Sequence, residues 1–179
     1  MVEIKNIFPN YIGIKNIDLN KFKINNKKFK KTFESKIKTS LNTDNLFLPN
    51  HINYFNIQLT EIFSNIFKMM NFKTFVFNVK DIWTNIYNKN DFQGTHVHPS
   101  DYCFILYYDV KKSSTVFNSP VKDLLESRGS KINVFFTEYE PKCNKGDLLV
   151  FPGYMQHWVR PTSNAKTIAG NIEIIDIKY

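Results

Sequence analysis

Hydrophobic positions along this chain change period twice. Residues 1–15 alternate loosely through Ile4, Ile7, Phe8, Tyr11, Ile12 and Ile14, with Pro9-Asn10 as a break, which predicts a short strand. From 27 to 41 the apolar positions Phe29, Phe33, Ile37 and Leu41 fall every fourth residue, which predicts a basic amphipathic helix. A polar, turn-rich stretch from Asn42 to Asn50 follows. Leu59, Ile62, Phe63, Ile66, Phe67 and Met70 then keep the three-and-four spacing of a single buried stripe, the clearest helix in the sequence. From residue 73 the period drops to two. Phe75, Phe77 and Val79 alternate with Val76, Asn78 and Lys80, and the strand runs or bends into Ile82–Tyr87.

Short β-prone runs with turn punctuation fill the rest. They span 93–98, 102–110, 114–118, 131–139, 148–151, 156–160 and 165–177, with one helical turn expected around Leu124 and Leu125. Helices first and many short strands after them predict an α+β domain, its second half a sandwich or barrel with the N-terminal helices on the outer face. At 179 residues a single domain is the expectation, with 1–72 as support and 73–179 as the β core.

Composition changes the picture in three places. The net charge is +8, and much of the excess lies in Lys21, Lys23, Lys27, Lys28, Lys30, Lys31, Lys36 and Lys38. Such a stretch is either a solvated helix face or a surface for nucleic acid. The two cysteines, Cys103 and Cys143, form no CxxC pair, so a disulfide framework is not expected and a reducing cytoplasm fits. No apolar run reads as a signal peptide or a membrane span.

The chemistry gathers on histidine. Of four histidines, three stand in Thr95-His96-Val97-His98-Pro99 and at His157. On a strand, residues two apart face the same way, so His96 and His98 present two imidazoles to one point. A third imidazole from the distant His157 strand would complete a facial metal site with open positions. Imidazole suits zinc, iron, copper and nickel alike, so the donors do not name the metal.

The order of motifs carries a resemblance. Trp83-Thr84-Asn85, His96-Val97-His98-Pro99, Tyr107-Tyr108, Gly146–Pro152 (GDLLVFP), His157 and Thr167–Asn171 follow one another. This resembles the 2-oxoglutarate/Fe(II)-dependent oxygenases of phages and marine bacteria, densely over residues 72–175 and weakly before them. The resemblance implies a double-stranded β-helix (jelly-roll, cupin-like), Fe(II) as metal, 2-oxoglutarate as co-substrate, O2, and hydroxylation of a substrate. A host-cell cytoplasm follows if the chain is phage-encoded. Two departures stand out. The usual triad is two His and a carboxylate; here the second position is His98, with Asp101 as the alternative. The family's Arg for the distal carboxylate would stand at Ala165, so Lys166 becomes the candidate anchor, with Arg160 second. Asn85 and Tyr108 are further pocket candidates, Tyr108 through shared parity with His96 and His98. The rival readings are a cupin-type three-histidine barrel without a 2-oxo acid and a nucleic-acid-binding module using the basic N-terminal helix. A protein side chain, a nucleobase or a small metabolite all suit as substrate, and a homodimer is compatible with the sequence.

Overall fold

In a computed structural model, residues 10–21, 29–31, 37–41, 49–127 and 137–179 are described. They form a seven-stranded antiparallel sheet, a four-stranded antiparallel sheet and a long helix. The strands are β1 (Gly13–Asn16), β2 (Lys30–Lys31), β3 (Lys38–Thr39), β4 (Thr74–Tyr87), β5 (Gln93–His96), β6 (Tyr102–Asp109), β7 (Thr115–Asn118), β8 (Glu138–Tyr139), β9 (Asp147–Pro152), β10 (His157–Val159) and β11 (Ala165–Lys178). The helices are α1 (Pro49–Met69) and the short α2 (Lys122–Ser127). The larger sheet runs β1-β9-β6-β11-β4-β3-β2 and the smaller β5-β10-β7-β8.

α1 is the helix that the stripe from Leu59 to Phe67 predicts. Proline opens it, where a missing N–H costs nothing. Asn71, at φ 64°, closes it in the left-handed conformation, and the Phe72 N–H donates to Phe67 O at 2.9 Å. Its buried face covers the large sheet. Phe55, Leu59 and Phe63 are fully buried against Phe104, Leu106, Leu148, Val150, Ile168 and Ile172. Phe63 alone lies against the rings of Phe67, Phe75, Phe77 and Tyr102. Each such side chain contributes roughly 1.5–3 kcal/mol by leaving water.

The same strands send their alternate residues the other way. Cys103 and Tyr107 of β6 and Leu149 and Phe151 of β9 pack with Phe117 of β7 on the smaller sheet. The large sheet therefore has a helix on one face and the small sheet on the other. The functional cavity lies in the second interface.

The N-terminal half corrects one expectation. The stretch 27–41 is not a helix where it is described. Lys30–Lys31 and Lys38–Thr39 pair as a hairpin, and β3 joins the edge of β4 through Lys38↔Ile86 and Thr39↔Asn85. The Ser40 hydroxyl then accepts from the Thr84 N–H at 2.8 Å, and Ile37 is buried against Tyr87 and Val159. Long-range pairing with an open edge overrides a local four-residue spacing. Of the strand expected over 1–15, only the end from Gly13 is seen, in β1; residues 1–9, 22–28, 32–36, the 42–48 loop and most of the 131–139 strand lie outside the described residues. Among the described residues no helix is long and apolar enough to cross a membrane.

Candidate metal centre

β5 and β10 are neighbours, and His96 faces His157 directly across them. Their ring centroids are 4.2 Å apart. His98 lies past the end of β5, so strand alternation does not place it. Its position comes from two backbone bonds to the turn after β9: the His98 N–H donates to Gly153 O at 3.0 Å and the Gly153 N–H to Asp101 O at 2.9 Å. That turn needs glycine, since a Cβ on Gly153 would stand 2.0 Å from Ser100 O. Held so, the His98 ring stacks on Trp83 with centroids 5.8 Å apart and lies 5.2 Å from the His157 ring. The three rings offer ligand atoms that all lie within 4.8 Å of one another, and among the described residues no other group of three His, Cys, Asp or Glu does so.

The rings are prepared to act as neutral donors. Burial lowers the pKa of all three, to about 4 for His98 and about 3 for His157, and mutual repulsion adds to it at His98 and His157. His96 Nδ1–H donates to Gly94 O at 2.8 Å and His157 Nδ1–H to Met155 O at 3.0 Å. A carbonyl only accepts, so both protons sit on Nδ1 and both Nε2 lone pairs are left for a metal. The third ring is oriented by the Asn171 side chain. Asn171 is itself anchored, donating to Asp81 Oδ2 at 3.2 Å and accepting from Ser100 Oγ at 3.4 Å. Uncharged, oriented imidazoles of this kind fit Fe(II).

A pH dependence follows for the metal-free protein. An unfolded histidine titrates near 6.5, whereas these three refuse the proton in the fold. Below pH 6.5 the unfolded chain therefore binds more protons, and stability must fall with pH. The stabilisation is complete above pH 6.5 and is lost on the way down toward about 4 for His98 and about 3 for His157. The slope approaches about 1.4 kcal/mol per pH unit for each ring. Urea midpoints between pH 7 and 5 measure it, and His157→Gln should reduce the slope; a flat midpoint would count against neutral rings.

The cavity beyond the imidazoles runs between the sheets. Asn85 lines it, as expected from the sequence, and is buried on β4 opposite Thr39 and Thr167. Two expected residues stand elsewhere. Tyr108 packs on the helix side of the large sheet, and its neighbour Tyr107 faces the cavity instead. The parity argument failed because the chain turns at Pro99 before β6 begins. Lys166 shares its side of β11 with Ile168 and Ile172, which face α1, while Ala165, Thr167 and Ala169 line the cavity. Arg160 also lies outside: it pairs with Glu138 at 3.5 Å and Glu140 at 3.6 Å and sits 4.7 Å over Trp158. Asp101 is spent elsewhere too, since its Oδ2 accepts from the Ile174 N–H at 2.8 Å.

The cavity adds residues the sequence reading missed. Among the described residues Lys112, after β6, is the one Lys or Arg lining it, and no ion pair holds it there. Hydroxyls gather near it: Tyr107 donates to Thr115 Oγ1 at 2.9 Å, and Ser114 to Thr162 Oγ1 at 3.3 Å. Gln93 and Tyr87 complete the wall beside His96. Nothing in the sequence marks Lys112 among its many lysines; Tyr107 was within reach of the correct parity.

Comparison with known proteins bears directly on this centre. Residues 81–168 match the model of a family described as "Putative 2OG-Fe(II) oxygenase". No curated protein matches the sequence. Among solved structures, a 2OG-Fe(II) oxygenase family oxidoreductase from Burkholderia pseudomallei superposes with TM-score 0.51 at 13% identity, covering 82% of this chain and 71% of that one. That likeness is one of fold. A Pseudomonas putida prolyl-4-hydroxylase gives TM-score 0.49 at 11% identity, over 79% and 73% of the two chains. A collagen prolyl hydroxylase from Paramecium bursaria Chlorella virus-1 gives 0.47 at 13%, over 80% and 81%. Residues 81–168, which carry all three imidazoles, are similar to this 2OG-Fe(II) oxygenase family, and that match together with the three-histidine centre indicates an oxidoreductase that uses Fe(II) and 2-oxoglutarate.

Proposed function

We propose that this protein is a hydroxylase built on a double-stranded β-helix, with His96, His98 and His157 as the three protein ligands of Fe(II). The observation that carries this reading is the cluster of three neutral imidazoles lining the cavity between the two sheets. Fe(II) bound there supplies O2 activation, so that 2-oxoglutarate, O2 and a substrate C–H bond become succinate, CO2 and an alcohol. The chain's own part is to hold, orient and exclude. Phe151 and Phe117 wall the His157 ring from water, with ring centroids 4.8 and 5.7 Å away. Asn171 and Trp83 fix the His98 ring.

The distal carboxylate of 2-oxoglutarate needs a cation, because burying it unpaired is costly. Lys112, itself exposed, is the cation the cavity offers, and Thr115 and Ser114 line the same cavity. Lys112→Ala should weaken 2-oxoglutarate binding about tenfold, or about 1.4 kcal/mol, and leave Fe(II) content unchanged. Lys166→Ala should change neither, because Lys166 does not line the cavity. Equal 2-oxoglutarate affinity in Lys112→Ala and wild type would move the anchor elsewhere. The primary substrate enters beside His98, where Lys80, Asp101, Tyr154 and Glu173 line an open groove.

The all-histidine ligand set supports a second reading, a cupin-type metal barrel that uses no 2-oxo acid. Succinate release separates the two. The oxygenase reading requires succinate formation that depends on Fe(II), O2 and 2-oxoglutarate together, and its absence with the metal bound would favour the cupin reading.

A further inference from the structure

Gln93 reaches the metal centre through a defect in its strand. His157 pairs with His96 and Val159 with Gln93, so three steps on β5 oppose two on β10. The extra residue falls at Gly94-Thr95, a β-bulge. Plain alternation would put Gln93 and His96 on opposite faces; the bulge puts both in the cavity.

The result is a locked amide. The Tyr87 hydroxyl donates to Gln93 Oε1 at 2.9 Å. Burial raises the Tyr87 pKa, so that proton stays on the phenol. With Oε1 accepting, the amide nitrogen must be the atom turned to His96, and Gln93 Nε2 stands 3.3 Å from His96 Nε2. His96 carries its own proton on Nδ1, toward Gly94 O, so its Nε2 is the acceptor. The Gln93 N–H thus points at the lone pair that a metal would take.

One lone pair cannot serve both. When a metal binds, the Gln93 N–H loses its acceptor but remains tethered through Tyr87. A partly buried donor left unpaired is destabilising. An oxygen ligand on a metal held at His96 would offer the amide a new acceptor. We propose that Gln93 is a positioning residue that guards His96 Nε2 in the empty site and, once the metal takes that nitrogen, donates to a 2-oxo acid oxygen on the metal. This rests on the oxygenase reading above.

The two halves of the inference predict opposite signs, which a merely structural role would not. Fe(II) affinity is read anaerobically by chelator competition, and 2-oxoglutarate affinity by calorimetry on the Fe(II)-loaded full chain. Gln93→Leu should bind Fe(II) as tightly as wild type or a few-fold tighter, and 2-oxoglutarate about tenfold more weakly. Tyr87→Phe, which frees the amide to turn, should shift both the same way by less, and it guards against a Gln93→Leu variant that fails to fold. If both affinities fall together in either variant, or 2-oxoglutarate affinity holds, the inference is wrong. A wild-type protein that takes Fe(II) but no 2-oxoglutarate overturns the oxygenase reading instead, and the hand-off with it.

Discussion

Replacing His157 by Ala should empty the metal centre. His157 is 2% exposed and closes a triangle with the other two rings, with centroids 4.2 Å from His96 and 5.2 Å from His98. Removing it leaves two imidazoles on a short loop and a strand edge. Loss of an outer partner of a metal ligand typically costs 10–100-fold in affinity, so loss of a ligand should cost about a hundredfold or more. His96→Ala should do the same. His51→Ala is the control, because His51 is buried on α1 and does not line the cavity. Iron content after anaerobic loading and desalting reads all three. Full iron in both His96→Ala and His157→Ala would remove the three-histidine centre.

The second large effect separates His98 from Asp101. His98→Ala should lose iron as His157→Ala does. Asp101→Ala should keep it, because that carboxylate caps the Ile174 N–H at 2.8 Å and is not among the clustered ligands. Its loss should appear as reduced stability, about 1 kcal/mol for one hydrogen bond. The reverse pattern, iron kept in His98→Ala and lost in Asp101→Ala, would restore a two-histidine, one-carboxylate site.

How far the sequence led depends on what each residue's placement requires. The α1 stripe was legible because a helix facing a sheet must repeat its apolar residues every three or four positions, and Phe55–Phe67 do. The histidines were legible by their rarity elsewhere. Their geometry was less so. His96 and His98 meet through Gly153 and the end of β5, not through strand alternation. Parity carries only within one strand, so it misassigned Tyr108 across Pro99 and could not see the bulge that brings Gln93 into the cavity. Alternation groups Lys166 with Ile168, and which side of the sheet Ile168 takes depends on where α1 packs. Lys112 is a loop lysine, and only the meeting of two sheets makes it a cavity residue.

The central claim is that three imidazoles hold one Fe(II) and leave positions on it for 2-oxoglutarate. An anaerobic calorimetric titration of 2-oxoglutarate into metal-free protein, Fe(II)-loaded protein and His157→Ala tests it most directly. The account predicts one 2-oxoglutarate per chain in the Fe(II)-loaded protein, and much weaker binding in the other two. Equal binding with and without iron, or none in the loaded protein, would contradict it.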